Sequence, residues 1–469
     1  MRKTKIVATI GPASNNCETL KNMVLAGLNV VRINLSHAKI KDMEQTVKIV
    51  KRLRKELKVP LPIMIDTRGP EIRVKTFKDG QAQIKKGQRF IFTARDVEGD
   101  DTQVSFNHPC IVKCIKPGDR ILAVNGLLVF KVLEVTDKDV ITKAQNAGVL
   151  GNRKSLSIPG IKFNTPYLNE QDKDDIIWAI KNDVDIIAAS FVNSKQDIMV
   201  LKKYITDNGG DMRIIAKIES IRGLDNLDEI IAAADGTMVA RGDLGVEVPV
   251  EKLPAYQKLI IDKTKMAGKA VITATEMLES MITNNRPTRA EVSDVANAVY
   301  DGTSAVMLSG ESAMGKFPVE AVATMAKVAQ EAEKNIDYHE RFQNISYKLE
   351  NTTDVISHSA VDASFMKGTK AIVAFTTRGM SARMVSRFRP SATIVGATPN
   401  EKTYRQLDMY WGIQPILTPL YNSADEMFEI AHKLVTANKI AKAKDKIVIT
   451  CGVPKQNGCT NLIKIDQVR

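Results

Sequence analysis

The chain's 469 residues, 44% of them hydrophobic, exceed one ordinary domain and can fill sizeable cores, so two or three domains are expected. A formal charge of +13 suits anionic partners, but aromatics are only 5% and the lysines scatter along helix-like stretches, which argues against a nucleic-acid surface; no run of about 18 apolar residues suggests a membrane span. No signal-peptide core follows Met1–Lys5, so a soluble cytoplasmic protein is expected; five cysteines give no disulfide framework, and Cys110, Cys114 and His108 lack the fourth ligand of a zinc site.

Along the chain, short β-rich apolar runs end in polar residues and lead into helical patterns. They are Lys5–Ile10, Val30–Asn34, Pro62–Asp66, Asp185–Ser190, Arg213–Ile218, Gly236–Ala240, Ala270–Thr273 and Ala305–Leu308. Stretches such as Asp225–Ala234 and Tyr256–Ala267 between them have helical periodicity. Eight strand-helix units predict a (β/α)8 barrel of the TIM type. Between the third and fourth runs, Arg73 to Lys154 reads as short alternating strands (Phe90–Thr93, Arg120–Val124, Leu128–Val132) with hairpin turns at Pro117-Gly118-Asp119 and Asn125-Gly126. This predicts a small β-barrel domain inserted at the top of the barrel, where a lid would sit. A fresh β/α alternation follows at Thr369–Phe375, Thr393–Ala397 and Lys446–Ile449, predicting a separate α/β domain. The expected division is barrel 1–70 and 158–337, lid 71–157, and C-terminal domain 338–469.

In such a barrel, polar residues at the carboxyl ends of strands face the active site. The second run ends in Arg32-Ile33-Asn34-Leu35-Ser36-His37 and the third in Asp66-Thr67-Arg68-Gly69-Pro70-Glu71-Ile72-Arg73. Strand alternation puts Lys217 and Glu219 on the same side, facing the mouth. Taken alone, they read equally as a structural ion pair. Asp243 then arrives from the adjacent strand in a glycine-rich turn, and two carboxylates with open surroundings suit Mg2+, which keeps several waters and takes substrate oxygens. Gly242 and Gly245 let backbone N–H groups approach an anion. Phosphoryl transfer requires this combination of metal and cationic clamps, with no covalent nucleophile. No Gly-x-Ser-x-Gly elbow, His-Glu-x-x-His pair or Walker loop supports another hydrolase or kinase class.

Thr4-Lys5-Ile6-Val7-Ala8-Thr9-Ile10-Gly11-Pro12-Ala13-Ser14, Asp66-Thr67-Arg68-Gly69-Pro70-Glu71-Ile72-Arg73, Met238-Val239-Ala240-Arg241-Gly242-Asp243-Leu244-Gly245 and Arg286-Pro287-Thr288-Arg289-Ala290-Glu291 resemble pyruvate kinase signatures, in family order. The resemblance implies phosphoryl transfer from phosphoenolpyruvate to ADP, giving pyruvate and ATP, in a homotetramer dependent on Mg2+ (or Mn2+) and K+. It implies that Lys217 stabilises the phosphoryl group and the enolate, Glu219 and Asp243 bind Mg2+, and Ala240, Arg241, Gly242 and Asp243 receive the substrate carboxylate through backbone N–H groups. Arg32 would clamp the phosphate and Thr275 would face enolate protonation. Asn34, Ser36, Asp66 and Thr67 match the monovalent-cation site, and Asn34, His37, Arg73 and Lys154 the nucleotide contacts. Blander readings stand beside these: Thr288–Glu291 has capping-box spacing, and the Thr275 hydroxyl could simply bond nearby backbone.

Three departures from the family pattern are visible. Arg68 replaces the more frequent lysine, Glu276 stands where glutamine is common, and Asn125 replaces an aspartate expected to pair with the phosphate-clamping arginine on lid closure. Thr376-Thr377-Arg378-Gly379-Met380-Ser381-Ala382 lies between an apolar strand and a helix-like stretch, where hydroxyls and N–H groups can converge on a phosphate. Without the resemblance it reads as an ordinary capped turn. With it, Thr376, Thr377, Arg378, Gly379 and Ser381 would hold an effector phosphate opposite Gly452–Asn461. Two rival readings are a metal-dependent lyase working through a pyruvate enolate and a non-catalytic, charge-driven binding protein. The lyase would need neither the lid with Lys154 nor the oxygen cluster at Asn34, Ser36, Asp66 and Thr67.

Overall fold

The computed structural model describes residues 2–36, 39–161, 165–453 and 459–469. Eight strands close a parallel barrel: β1 Lys5–Thr9, β2 Val30–Asn34, β3 Ile63–Asp66, β4 Ile186–Ala189, β5 Arg213–Ile218, β6 Gly236–Ala240, β7 Ala270–Ala274 and β8 Ala305–Leu308. β1 pairs with both β2 and β8, so no edge remains. The strands are nearly continuous apolar runs because both faces are covered. On β1, Ile6 and Ala8 pack toward the surrounding helices, while Val7 joins Met64, Ile215 and Met238 in a second cluster. That cluster runs on into Phe342, Phe388 and Ile394, so the barrel and the C-terminal domain share apolar packing.

Helix starts follow local chemistry. Asn16 caps Cys17–Ala26, and Ser194 and Asp197 form a reciprocal capping box on Lys195–Asp207. Thr288 and Glu291 do the same for Arg289–Asp301, so that part of the sequence signature is a helix start.

The inserted segment forms a seven-stranded sheet and a two-stranded ribbon, Gln81–Ile84 with Gly148–Gly151. The edge strands Ile72–Arg73 and Gln103–Ser105 meet through a bridge between Val74 and Phe106, which curls the sheet around Phe90, Phe92 and Phe130. Those rings lie with centroids 5.1 to 5.5 Å apart. The Asn125-Gly126 turn has φ of 55° and 82° at its two central residues, the geometry that lets a two-residue hairpin follow strand twist.

The C-terminal sheet has the order Ile413–Leu417, Thr393–Thr398, Thr369–Phe375, Lys446–Cys451, Leu462–Gln467, the last strand antiparallel. The two outer strands escape the sequence pattern. Ile413–Leu417 carries Pro415, which an edge strand tolerates, and Leu462–Gln467 alternates apolar and charged residues. Ionic contacts fix this domain under the barrel: Asp185 accepts from Arg54 and Arg405, each at 2.6 Å, and Lys5 reaches Asp408 at 2.7 Å. No helix among the described residues is long and apolar enough to cross a membrane.

Candidate active site

Lys217, near the end of β5, is buried, and an isolated ammonium there would be strongly disfavoured. Its Nζ lies 2.8 Å from Glu219 Oε1 and from Ser190 Oγ, and 3.0 Å from Asp66 Oδ1. Burial pulls its pKa down, but Asp66, Glu219 and Asp243 together raise it above the ordinary lysine value, so the ammonium is held charged. Asp66 ends β3. Burial alone would raise its pKa, yet Arg32 and Lys217 hold its carboxylate below the usual range.

Arg32 on β2 donates to Asp66 Oδ2 through Nε at 2.8 Å and Nη2 at 2.6 Å, and to Thr9 Oγ1 at 2.7 Å. A guanidinium has five N–H donors, so two remain uncommitted. The register that sets Asn34 opposite Asp66 brings their oxygens to neighbouring strand ends. Asn34 Oδ1 accepts the Ser36 N–H at 3.1 Å, and Thr67 Oγ1 accepts the Ser190 N–H, also at 3.1 Å. Ser190 was not among the sequence candidates, although its run was read as a strand. Its hydroxyl accepts from Lys217 and donates to the Thr67 carbonyl at 2.7 Å, joining three strand ends.

Glu219 is buried beyond β5, and its Oε2 accepts the Phe191 N–H at 2.6 Å. Phe191 holds φ of 54°, a left-handed conformation costly for an aromatic residue, and that turn aims its N–H at Glu219. Asp243 opens toward the cleft but is ringed by protein, close to Glu219. Both carboxyls are raised: enclosure disfavours their charge first, Lys217 opposes the shift, and neighbouring acids add to it, Asp243 for Glu219 and Glu71 and Asp66 for Asp243. Two enclosed carboxyls in a negatively charged pocket could hold a divalent cation. Among the described residues no group of three or more His, Cys, Asp or Glu could hold a metal ion, so an ion at this pair would need further oxygen ligands from outside these residue types.

Several candidates sit differently from the simplest expectation. The Arg241 side chain turns away from the cleft, donating to the Thr275 carbonyl at 2.6 Å and the Glu276 carbonyl at 2.9 Å, and pairing with Asp294 at 2.6 Å. It thereby braces a turn in which Thr275 and Glu276 have φ of 65° and 53°. Thr275 Oγ1 accepts the Gly242 N–H at 2.9 Å and donates to the Ala274 carbonyl at 2.7 Å. The hydroxyl and the turn after Ala240 are therefore in contact, and one N–H of that turn is occupied. Arg68 points outward to Asp175 at 3.2 Å.

The lid pairs Arg73 with Ser155, next to Lys154; Arg73 also pairs with Glu71 at 2.5 Å, and Lys154 is exposed. His37 lies outside the described residues. The cleft beneath the lid is lined by Glu71, Asn125, Phe191, Glu219 and Asp243.

In the C-terminal domain, Thr376 is buried, Thr377 and Arg378 are exposed, and Gly379 at φ 87° precedes the helix Met380–Arg387. Ser381 Oγ lies 2.7 Å from Thr460 Oγ1, so part of the 452–461 segment faces this turn; Pro454–Gly458 fall outside the described residues.

Residues 1–322 match the family model described as pyruvate kinase, barrel domain, and residues 354–466 the model described as pyruvate kinase, alpha/beta domain. A pyruvate kinase of Clostridium perfringens is 43% identical, with each chain covered in full. One of Geobacillus stearothermophilus is 40% identical, covering 99% of this chain and 80% of its own length. The crystal structure of a pyruvate kinase from Cryptosporidium parvum superposes with a TM-score of 0.94 at 35% identity, over 100% of this chain and 96% of that one. Barrel, lid and C-terminal domain are thus matched in sequence and in three dimensions, and the chain belongs to the pyruvate kinase family.

Proposed function

We propose that the protein transfers the phosphoryl group of phosphoenolpyruvate to ADP, giving pyruvate and ATP. The observation that carries this reading is the charged, buried Lys217 set between Asp66 and the Glu219–Asp243 pair at the mouth of the barrel. A fixed cation beside a two-carboxylate metal seat suits a reaction whose transition state spreads negative charge over phosphoryl oxygens and then leaves an enolate.

Glu219 and Asp243 would hold Mg2+, or Mn2+ in its place. Bound there, the ion supplies positive charge to the phosphoryl and enolate oxygens and fixes their orientation. Arg32 binds the substrate phosphate with the N–H groups that Asp66 and Thr9 leave free, and Lys217 neutralises charge between phosphate and enolate. The substrate carboxylate docks at the Ala240–Asp243 turn, displacing the Thr275 hydroxyl from the Gly242 N–H. Released in this way, Thr275 faces the enolate and relays a proton through water, since a threonine hydroxyl is itself a weak acid. Asn34, Ser36, Asp66 and Thr67 supply the hard oxygens for K+, and Arg73 and Lys154 approach the nucleotide phosphates from the lid, with His37 completing the contacts. The Thr376–Ser381 turn binds a phosphorylated effector in a homotetramer that acts in the cytoplasm.

Replacing Lys217 with Met removes the cation while keeping the side chain's bulk. ATP formation is expected to fall by roughly a thousandfold or more, the scale of losing several kcal/mol of transition-state stabilisation, with folding retained. A coupled assay of pyruvate release measures it, and a variant within tenfold of the parent would remove Lys217 from this role.

Glu71 pairs with Arg73 and Ser155 and provides no cation near the K+ oxygens. Activity is therefore expected to depend on K+, and Glu71→Lys to lessen that dependence. Full activity in a buffer whose only monovalent cation is tetramethylammonium would contradict this.

For the C-terminal turn, fructose 1,6-bisphosphate, glucose 6-phosphate, ribose 5-phosphate and AMP are titrated calorimetrically against the parent and the Thr377→Ala/Ser381→Ala double variant. At least one is expected to bind the parent and to lose affinity for the variant, and its binding and that of phosphoenolpyruvate should strengthen each other. Equal binding to both proteins, or none to the parent, would place the effector site elsewhere or nowhere.

A further inference from the structure

The helix Arg241–Glu247 begins at the candidate substrate turn, carries Asp243 in its first turn and ends at Glu247, one turn further on. Glu247 is half-buried and accepts a hydrogen bond from the Ser157 hydroxyl on the last lid strand. Burial raises its pKa, and Ser157 together with the backbone N–H groups of Ile221, two residues past Glu219, and of Gly160, on the segment leading back to the barrel, favours its charged form. Ser157, Gly160, Phe191, Asn193, Ser220 and Arg222 line the cleft around it. Among the described residues, the bond from Ser157 is the one side-chain hydrogen bond joining the lid strands to the barrel. Elsewhere the lid meets this helix through Gly126, where an added Cβ would rest 3.6 Å from Val246 Cγ1.

We infer that Glu247 is a positioning residue that couples lid closure to the metal-ligand pair. The lid's exit strand, the residues following Glu219 and the helix carrying Asp243 all converge on its carboxylate. Closing the lid delivers Ser157 to Glu247 and steadies the helix; the steadied helix holds Asp243 beside Glu219. The effect is reciprocal, because whatever lid closure adds to cation affinity, cation binding must add to lid closure. Hydrogen bonds to a carboxylate are the stronger kind, worth about tenfold or more in an equilibrium constant, which is enough to bias a lid otherwise held by its two connecting segments. This inference rests on the reading of Glu219 and Asp243 as the Mg2+ ligands.

The test compares the parent with Ser157→Ala, Glu247→Ala, Glu247→Gln and the Ser157→Ala/Glu247→Ala double variant. Two quantities are read: the Mg2+ concentration for half-maximal pyruvate formation, and amide hydrogen exchange of the lid segment 148–157 with and without Mg2+. Ser157→Ala is expected to raise the Mg2+ requirement by about tenfold with a much smaller change in kcat, and to abolish the lid protection that Mg2+ confers on the parent. Glu247→Gln keeps an acceptor oxygen and should fall between the parent and Glu247→Ala. The double variant should be no worse than Glu247→Ala, since both changes remove one contact. A Mg2+ requirement within about twofold of the parent in Ser157→Ala, or additive losses in the double variant, overturns the coupling. If Glu247→Ala does not fold, Ser157→Ala and Glu247→Gln still decide the matter. If the parent makes no pyruvate, the proposed reaction fails by itself. Lid exchange then judges the latch alone: faster exchange in Ser157→Ala supports it, and unchanged exchange overturns it.

Discussion

The site is organised by the need to keep one buried ammonium charged. Lys217 loses its water, so carboxylates must surround it, and Asp66 and Glu219 arrive from β3 and the end of β5 at 3.0 and 2.8 Å. Each acid then needs further partners. Asp66 receives Arg32, which is anchored in turn on Thr9, and Glu219 receives the Phe191 N–H by way of a left-handed turn. The chain of compensation runs around the barrel mouth, from β1 through β2, β3 and β4 to β5. Removing one member leaves a buried charge unmatched, which costs more than the missing bond itself.

The Glu219–Asp243 pair lies outside this balanced set. Lys217 already serves Glu219, and enclosure first, with the charge of neighbouring acids, pushes both carboxyls up. A cation delivered from solution would relieve that imbalance. The lid roofs the imbalance, placing Glu71 and the Asn125 turn over it and Ser157 against the helix of Asp243. An enclosed site strengthens every electrostatic contact made within it, and the lid contributes to that enclosure.

Much of this was legible in the sequence because the barrel ties strand order to strand-end chemistry. Lys217 and Glu219 share a face by simple alternation, and all eight apolar runs became barrel strands, with no end shifted by more than one residue. What stayed hidden depends on contacts between distant segments. Ser190 ends a strand that had been read correctly, but nothing local marks a serine that will meet Lys217, which lies 27 positions away. Arg241 belongs to the signature, yet only the folded chain shows its guanidinium bracing the Thr275 turn. The Thr275 hydroxyl makes the backbone bonds of its blander alternative, with Gly242 as one partner. Glu247 carries no motif of its own; its donor Ser157 lies 90 residues away in the chain.

The account turns on Glu219 and Asp243 forming a cation seat beside the Lys217 ammonium, and manganese binding tests that directly. Mn2+ is titrated into the parent, Glu219→Gln and Asp243→Asn in the presence of phosphoenolpyruvate, and free Mn2+ is followed by electron paramagnetic resonance. The parent should sequester the ion, and each variant should bind it at least about tenfold more weakly, because a carboxylate ligand has been replaced by a neutral amide. Equal binding by all three proteins, or none by the parent, would contradict the account.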